Sequence, residues 1–141
     1  MGVVIRDVLG ESGEGSRVRF EHDGRLLEAM LAEPPEAARL LIGHVTHVEF
    51  GHSAVTTWRR APATSRDAAG LYPAGPGSTR IVGEVVHVDD IGDGDRVYDV
   101  RMAPGLECVA LAGHELGGED LEVGAWIDVT VEGFCLYPTN E

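Results

Sequence analysis

A chain of 141 residues with 43% apolar residues and 19 glycines is long enough to bury a core without disulfide staples, and it is turn-rich, not disordered. Its 24 acids against 11 basic residues give a net charge of −13. That balance argues against general binding to nucleic-acid phosphates and to anionic membranes, both of which call for clustered cations. All 11 basic residues are arginine, with no lysine or glutamine anywhere, a bias that points to a GC-rich bacterial genome and says nothing of function. The acidic surplus reads as solubility, or as a docking face for a basic partner. The start "MGVVIRDVLGESGEG" has no basic n-region or apolar h-region, and no stretch reaches the ~18 apolar residues of a membrane span. A cytoplasmic location is the expectation.

Along the chain, "GVVIRDV" (2–8) is rich in β-branched residues and reads as a strand. Residues 17–32, "RVRFEHDGRLLEAMLA", read as a hairpin around Asp23-Gly24, since Asp-Gly favours tight turns. "EPPEAARLLIG" (33–43) has prolines suited to a helical first turn and Gly43 near a C-cap, and predicts one short helix. "HVTHVEF" (44–50) alternates Thr46, Val48 and Phe50 against Val45, His47 and Glu49, the period of a half-buried strand. Residues 59–79 mix Pro, Gly, Ala, Ser and Thr without a sustained period and read as an irregular connector. The connector holds Arg59, Arg60 and Arg66, and is either solvated or folded back on an acidic face. Strands are expected again over 80–90, 96–102 and 106–112, with "GHELGGED" (113–120) as a turn. "GAWIDVTVEGF" (124–134) alternates Ile127, Val129 and Val131 against Asp128, Thr130 and Glu132. Cys108 and Cys135 form no CxxC motif and are expected as reduced core filler.

The features recur. Residues 3–10 lie over 85–92, 17–32 over 96–111, and 40–50 over 121–131, the last pair sharing Leu-x-x-Gly before a strand. Matching letters in the middle pair sets Val18 on Val97, whereas matching faces sets Val18 on Tyr98 and Phe20 on Val100. The faces are preferred, because a one-residue slip exchanges core and solvent. The expected fold class is therefore all-β: two similar OB-like small β-barrel halves related by internal duplication, with at most one short helix. Residues 1–58 form the first half, 59–79 an irregular linker and 80–141 the second half.

The stretch "GEVVHVDDIGDGDRVYDVRMAPGLECVALAGHELGGEDLEVGAWIDVTV" (83–131) resembles the TOBE/Mop class of OB-like domains. It shares Gly-x-Val, a Gly-containing turn, a strand pair, Leu-x-x-Gly and a final strand. The resemblance implies small-oxyanion binding, molybdate for example, or regulation of a transporter ATPase, and tandem copies of this total length. The Ser-Ala-Arg-Asn opening of molybdate-binding members is absent before Val3 and before Ile81, so only the fold is carried over.

Candidate chemistry is sparse. In "GHVTHVEFGH", His44 and His47 point to opposite faces of a strand. His44 and His52 share a face at ~26 Å, so the three make a weak metal set and no metal is expected. Asp89, Asp90, Asp93, Asp95 and Asp99 crowd one turn without the EF-hand spacing, which reads as a solvated turn. No G-x-S-x-G, P-loop or dinucleotide fingerprint is present, so no catalytic residue and no cofactor is expected. "LYP" occurs at 71–73 and 136–138, and Trp58, Tyr72, Trp126 and Tyr137 could form an apolar rim at a barrel mouth. The leading expectation is a non-enzymatic binding module for a small molecule or a protein partner. A small β-barrel enzyme acting on an apolar metabolite is one alternative. The other is an acidic inhibitor or immunity-type protein that neutralises a basic target. Exposed strand edges would allow a homo-oligomer.

Overall fold

The computed structural model describes residues 2–13, 15–102 and 108–139. The chain is all-β, and its helices among the described residues run only four to six residues. Strands β1 (Gly2–Ser12), β2 (Gly15–His22), β3 (Arg25–Leu31), β4 (Val45–Gly51) and β11 (Cys135–Pro138) close into a barrel in the order β1-β2-β3-β11-β4. Alternation along these strands sends Val3, Ile5, Val18, Phe20, Leu27, Leu31, Val48 and Leu136 inward, and all are buried. The barrel is compatible with an OB-like small barrel: a three-strand meander, a helical connection, then β4 pairing back on β1.

The helical connection is α1 (Pro35–Arg39). It has proline at its start, as expected, and buries Ala38. Beyond it the chain tightens into a turn in which Leu41 N–H donates to the Ala38 carbonyl at 3.0 Å, so that Leu41 packs on the core while Leu40 and Ile42 face solvent.

Strand β11 closes the barrel. It runs antiparallel to β4 and parallel to β3, with Cys135 beside Met30 and Leu136 beside Leu31. Met30 N–H donates to the Phe134 carbonyl and Ala32 N–H to the Leu136 carbonyl, at 2.9 and 3.0 Å. The chain thus leaves the barrel after β4, builds a second sheet, and returns to finish the first.

The second sheet has β5 (Ala54–Ala61), β10 (Trp126–Glu132), β7 (Ser78–Gly92), β8 (Asp95–Arg101) and β9 (Cys108–Ala112) in that order, with β6 (Gly70–Pro73) also paired to β7. The start of β7 pairs with β10 and β6, and its later part with β8. Register shifts break the β1–β2 ladder between Ile5/Asp7 and Val8/Gly10. The β7–β8 ladder breaks between Val85/His87 and Asp90/Gly92. Such bulges add twist to long hairpin strands. Both hairpins with Asp-Gly turn as expected: Asp23-Gly24 and Asp93-Gly94 have positive φ at both residues, +50° and +75°, then +55° and +75°. Tyr98 and Val100 are buried while Val97 and Asp99 are not, so Tyr98 and Val100 form the inward face of this hairpin.

The expected irregular linker over 59–79 is more ordered than its composition implies. Strand β5 continues to Ala61, a 3-10 turn spans Ala63–Ala68, and β6 follows. Leu71 sets β6, lying opposite Ile81 and fully buried. A short 3-10 turn, Gly113–Leu116, occupies the expected turn after β9 and buries Leu116. Core residues of both sheets form one hydrophobic cluster. The expected strand start at 106 and 107 and the Cys108 side chain lie outside the described residues.

Candidate functional site

A groove runs where the outer wall of β2–β3 meets the β6–β7 turn. On the barrel side, alternation puts Arg17 and Arg19 outward on β2, with Arg17 across from Met30 and Arg19 across from Glu28. On the other side, Ala74 and Ser78 close the turn through backbone hydrogen bonds, and Gly77 accepts from Gly133 N–H at 3.3 Å. The larger compartment holds about 230 Å³ and is lined by Arg17, Glu28, Met30, Pro76, Gly133 and Phe134, among others. A smaller one of about 110 Å³ touches Arg19, Leu27, Pro73, Ser78 and Thr79. Glu28 and Gly77 line both compartments. Each compartment lies below the roughly 300–1,000 Å³ of drug-sized ligand sites, so the groove has room only for a very small ligand.

Charge in the groove is set by what is left over. Arg19 is held by Asp7 at 3.6 Å, on the side away from the groove. Among the described residues neither Arg17 nor Glu28 has an ion-pair partner, although they sit diagonally across the same ladder.

A second polar centre sits on the outer face of the β5-β10-β7 layer. Asp128 faces Arg59 and Val82 across the ladders. It accepts from Arg80 Nε and Nη2 at 2.9 and 2.8 Å, and from Arg59 Nη2 at 3.0 Å. The Arg80 bonds hold its carboxyl below the usual aspartate range, against the opposing effect of burial, and Arg59 adds to the pull. Arg80 and Arg25 both lie over the Tyr72 ring, at 5.2 and 4.1 Å from its centroid. Arg60 meets Glu119 and Glu122. The arginines of the expected linker thus fold back on acids, the second of the two sequence readings for Arg59 and Arg60.

The four candidate aromatics lie in separate places. Trp58 is opposite Val129 and packs on the core. Trp126 lies three residues from Val129 on β10, hence on the other face of the sheet. Tyr72 is engaged with Arg25 and Arg80 at the junction of the sheets. Tyr137 is half exposed on the barrel, over Gly51. Negative charge on the neighbouring Cys135 sulfur, and a hydrogen bond with it, push the Tyr137 hydroxyl above the ordinary tyrosine range. Cys135 is a free thiol, only partly buried where core filling was expected, and it donates to the Gly133 carbonyl at 3.2 Å.

The histidines also disperse. His44 and His47 are exposed, while His52 Nε2 meets both Glu115 oxygens at 2.9 and 3.1 Å. The aspartates near the β7–β8 turn have local partners: Asp89 and Asp99 approach His87, and Asp90 accepts from Gly92 N–H. Asp93 forms the turn itself. Asp95 meets His114 at 3.1 Å, a hydrogen bond that lowers its pKa. No group of three or more potential metal ligands exists among the described residues.

The fold and groove define a class of object: a five-stranded barrel joined to a second sheet, with a small amphipathic groove at the junction. No family model, no curated protein and no solved structure matches this chain. No helix among the described residues is long and apolar enough to cross a membrane.

Proposed function

We propose that the chain is a non-enzymatic binding module made of two OB-like halves, and that its ligand is a small molecule seated in the groove between them. The observation that carries this reading is the groove's composition. Both sheets line it, its floor is apolar, and Arg17 and Glu28 stand in it with no ion-pair partner among the described residues. Buried Ile5, Phe20, Leu27, Leu31 and Leu136 fill the barrel interior, which leaves the outside of the wall for recognition.

Duplication is part of the same proposal. Ile5 opposes Phe20 and Val8 opposes Val18, while Val85 opposes Val100 and Val88 opposes Tyr98. Each residue of the second set stands 80 positions after its counterpart (5 to 85, 20 to 100), which moves the overlay of 3–10 on 85–92 by two residues and keeps the face-matched overlay of Val18 on Tyr98. This correspondence supports an internal repeat of one hairpin unit. The test is amide chemical-shift mapping with a mixed set of small polar metabolites, alongside native mass spectrometry of the purified protein. Shifts confined to Arg17, Gly77 and Gly133 are expected. Shifts that map only to the barrel interior would overturn the reading in favour of an enzyme or carrier with an internal chamber.

A further inference from the structure

We infer that the groove recognises a small zwitterion with an apolar body, the chemistry of a free α-amino acid with an aliphatic or thioether side chain. The inference rests on the groove being the ligand site, as proposed above, and adds the ligand's charge pattern.

Charge decides among ligand classes. Arg17 and Glu28 are both exposed, both unpaired among the described residues, and one ladder step apart on the same face of β2–β3. Diagonal neighbours in such a ladder lie roughly 7–8 Å apart. They can contact each other only by reaching across, and Arg19, directly opposite Glu28, is turned to Asp7 instead. A carboxylate on Arg17 and an ammonium on Glu28 would satisfy both. A simple anion would meet Arg17 but be repelled by Glu28 and by the field of a chain with net charge −13. A simple cation would meet Glu28 but face Arg17. A zwitterion carries no net charge and escapes the long-range penalty. The apolar part has its own surface in Met30 and Pro76, above the buried Phe134. A compartment of about 230 Å³ has room for one such side chain.

The experiment titrates the whole chain with L-leucine, L-leucinamide and N-acetyl-L-leucine, read by calorimetry and by amide shifts in the groove. The amide lacks the carboxylate and the acetyl compound lacks the ammonium. Leucine is expected to bind saturably, and each capped compound at least about tenfold more weakly. In Arg17→Gln the advantage of leucine over leucinamide should vanish. In Glu28→Gln the advantage over N-acetyl-leucine should vanish. Both side chains are exposed, so folding is expected to survive, and an unchanged thermal midpoint verifies it. Equal binding of all three compounds at the groove would overturn the zwitterion and leave the groove as a binding site. Silence from all three at the groove would overturn the zwitterion, and silence there from the mixed metabolite set as well would overturn the groove as the ligand site.

Discussion

Asp128 shows how one side chain can join three strands. It sits on the polar phase of β10 and is only 10% exposed, while the side chains of its partners Arg59 and Arg80 are 66% and 42% exposed. Replacing Asp128 with Asn weakens two charged hydrogen-bond sets, but the arginine heads can turn to water. The expected loss is therefore modest, about 1–2 kcal/mol at neutral pH in urea denaturation. The sign of the pH dependence follows from the lowered pKa. The folded protein releases this proton more readily than the unfolded chain. The carboxylate's contribution is therefore fully present above the unfolded value, about 3.9, and is lost as pH falls through the folded one. The gap between the native chain and Asp128→Asn should thus narrow below about pH 4. A gap that stays constant down to acid unfolding would exclude the ion cluster as its source. A second residue-scale tie is His52 with Glu115, whose side chains are 8% and 17% exposed. Glu115 also accepts from Ala112 N–H, fixing the 3-10 turn after β9 to the β4–β5 turn. His52→Ala should lower the thermal midpoint through loss of this contact, by about 1–3 kcal/mol in stability. Glu115→Gln should recover part of it in the double variant, because no stranded carboxylate remains.

At the scale of elements, the strands readable from the sequence are those with one wet and one dry face. "HVTHVEF" and the meander 17–31 alternate because a barrel wall has a single core side. The Asp-Gly turns were legible for a local reason, the positive φ that glycine accepts. Strand β5 was not legible. Along Ala54–Ala61 no residue is fully buried, and Thr56, Thr57, Arg59 and Arg60 are exposed, so no period marks it. Its place comes from pairing with β10, 65 or more residues later in the chain. The same holds for β6, a four-residue strand fixed by Leu71 against Ile81. The groove was illegible for this reason too: Arg17 and Glu28 are ordinary surface residues until the β6–β7 turn comes to rest beside them. Close strand approach at Gly83 yields a further prediction. A Cβ there would come within 2.6 Å of the Arg101 carbonyl and 2.7 Å of a Val100 methyl. A backbone oxygen within a paired ladder cannot step aside cheaply. Gly83→Ala is expected to destabilise by about 1–3 kcal/mol in urea, and a neutral result would mean that the β7–β8 ladder yields there.

At the scale of the molecule, the two sheets trade their last strands. Strand β5 follows β4 in the chain yet pairs with β10, and β11 follows β10 yet completes the barrel between β3 and β4. Boundaries drawn along the chain at 58 and 79 therefore do not coincide with boundaries between sheets. A fragment of residues 1–58 would lack the strand that carries Leu136 and the buried Phe134, and its β3 and β4 edges would be open to solvent. A fragment of residues 80–141 would lack β6, the whole of β5 and the first two residues of β7, exposing the far edge of β10. Neither is expected to show a cooperative thermal transition alone. Mixing two pieces cut inside the β6–β7 turn, residues 1–75 and 76–141, should restore one, since each then supplies the strand the other lacks. The restored complex should elute as a one-to-one species and regain the amide shifts of the β3–β11 pairing, because Met30 and Leu136 come from different pieces. A cooperative transition in isolated 1–58 would mean that β11 is dispensable, and that the barrel can close on β3 and β4 without it.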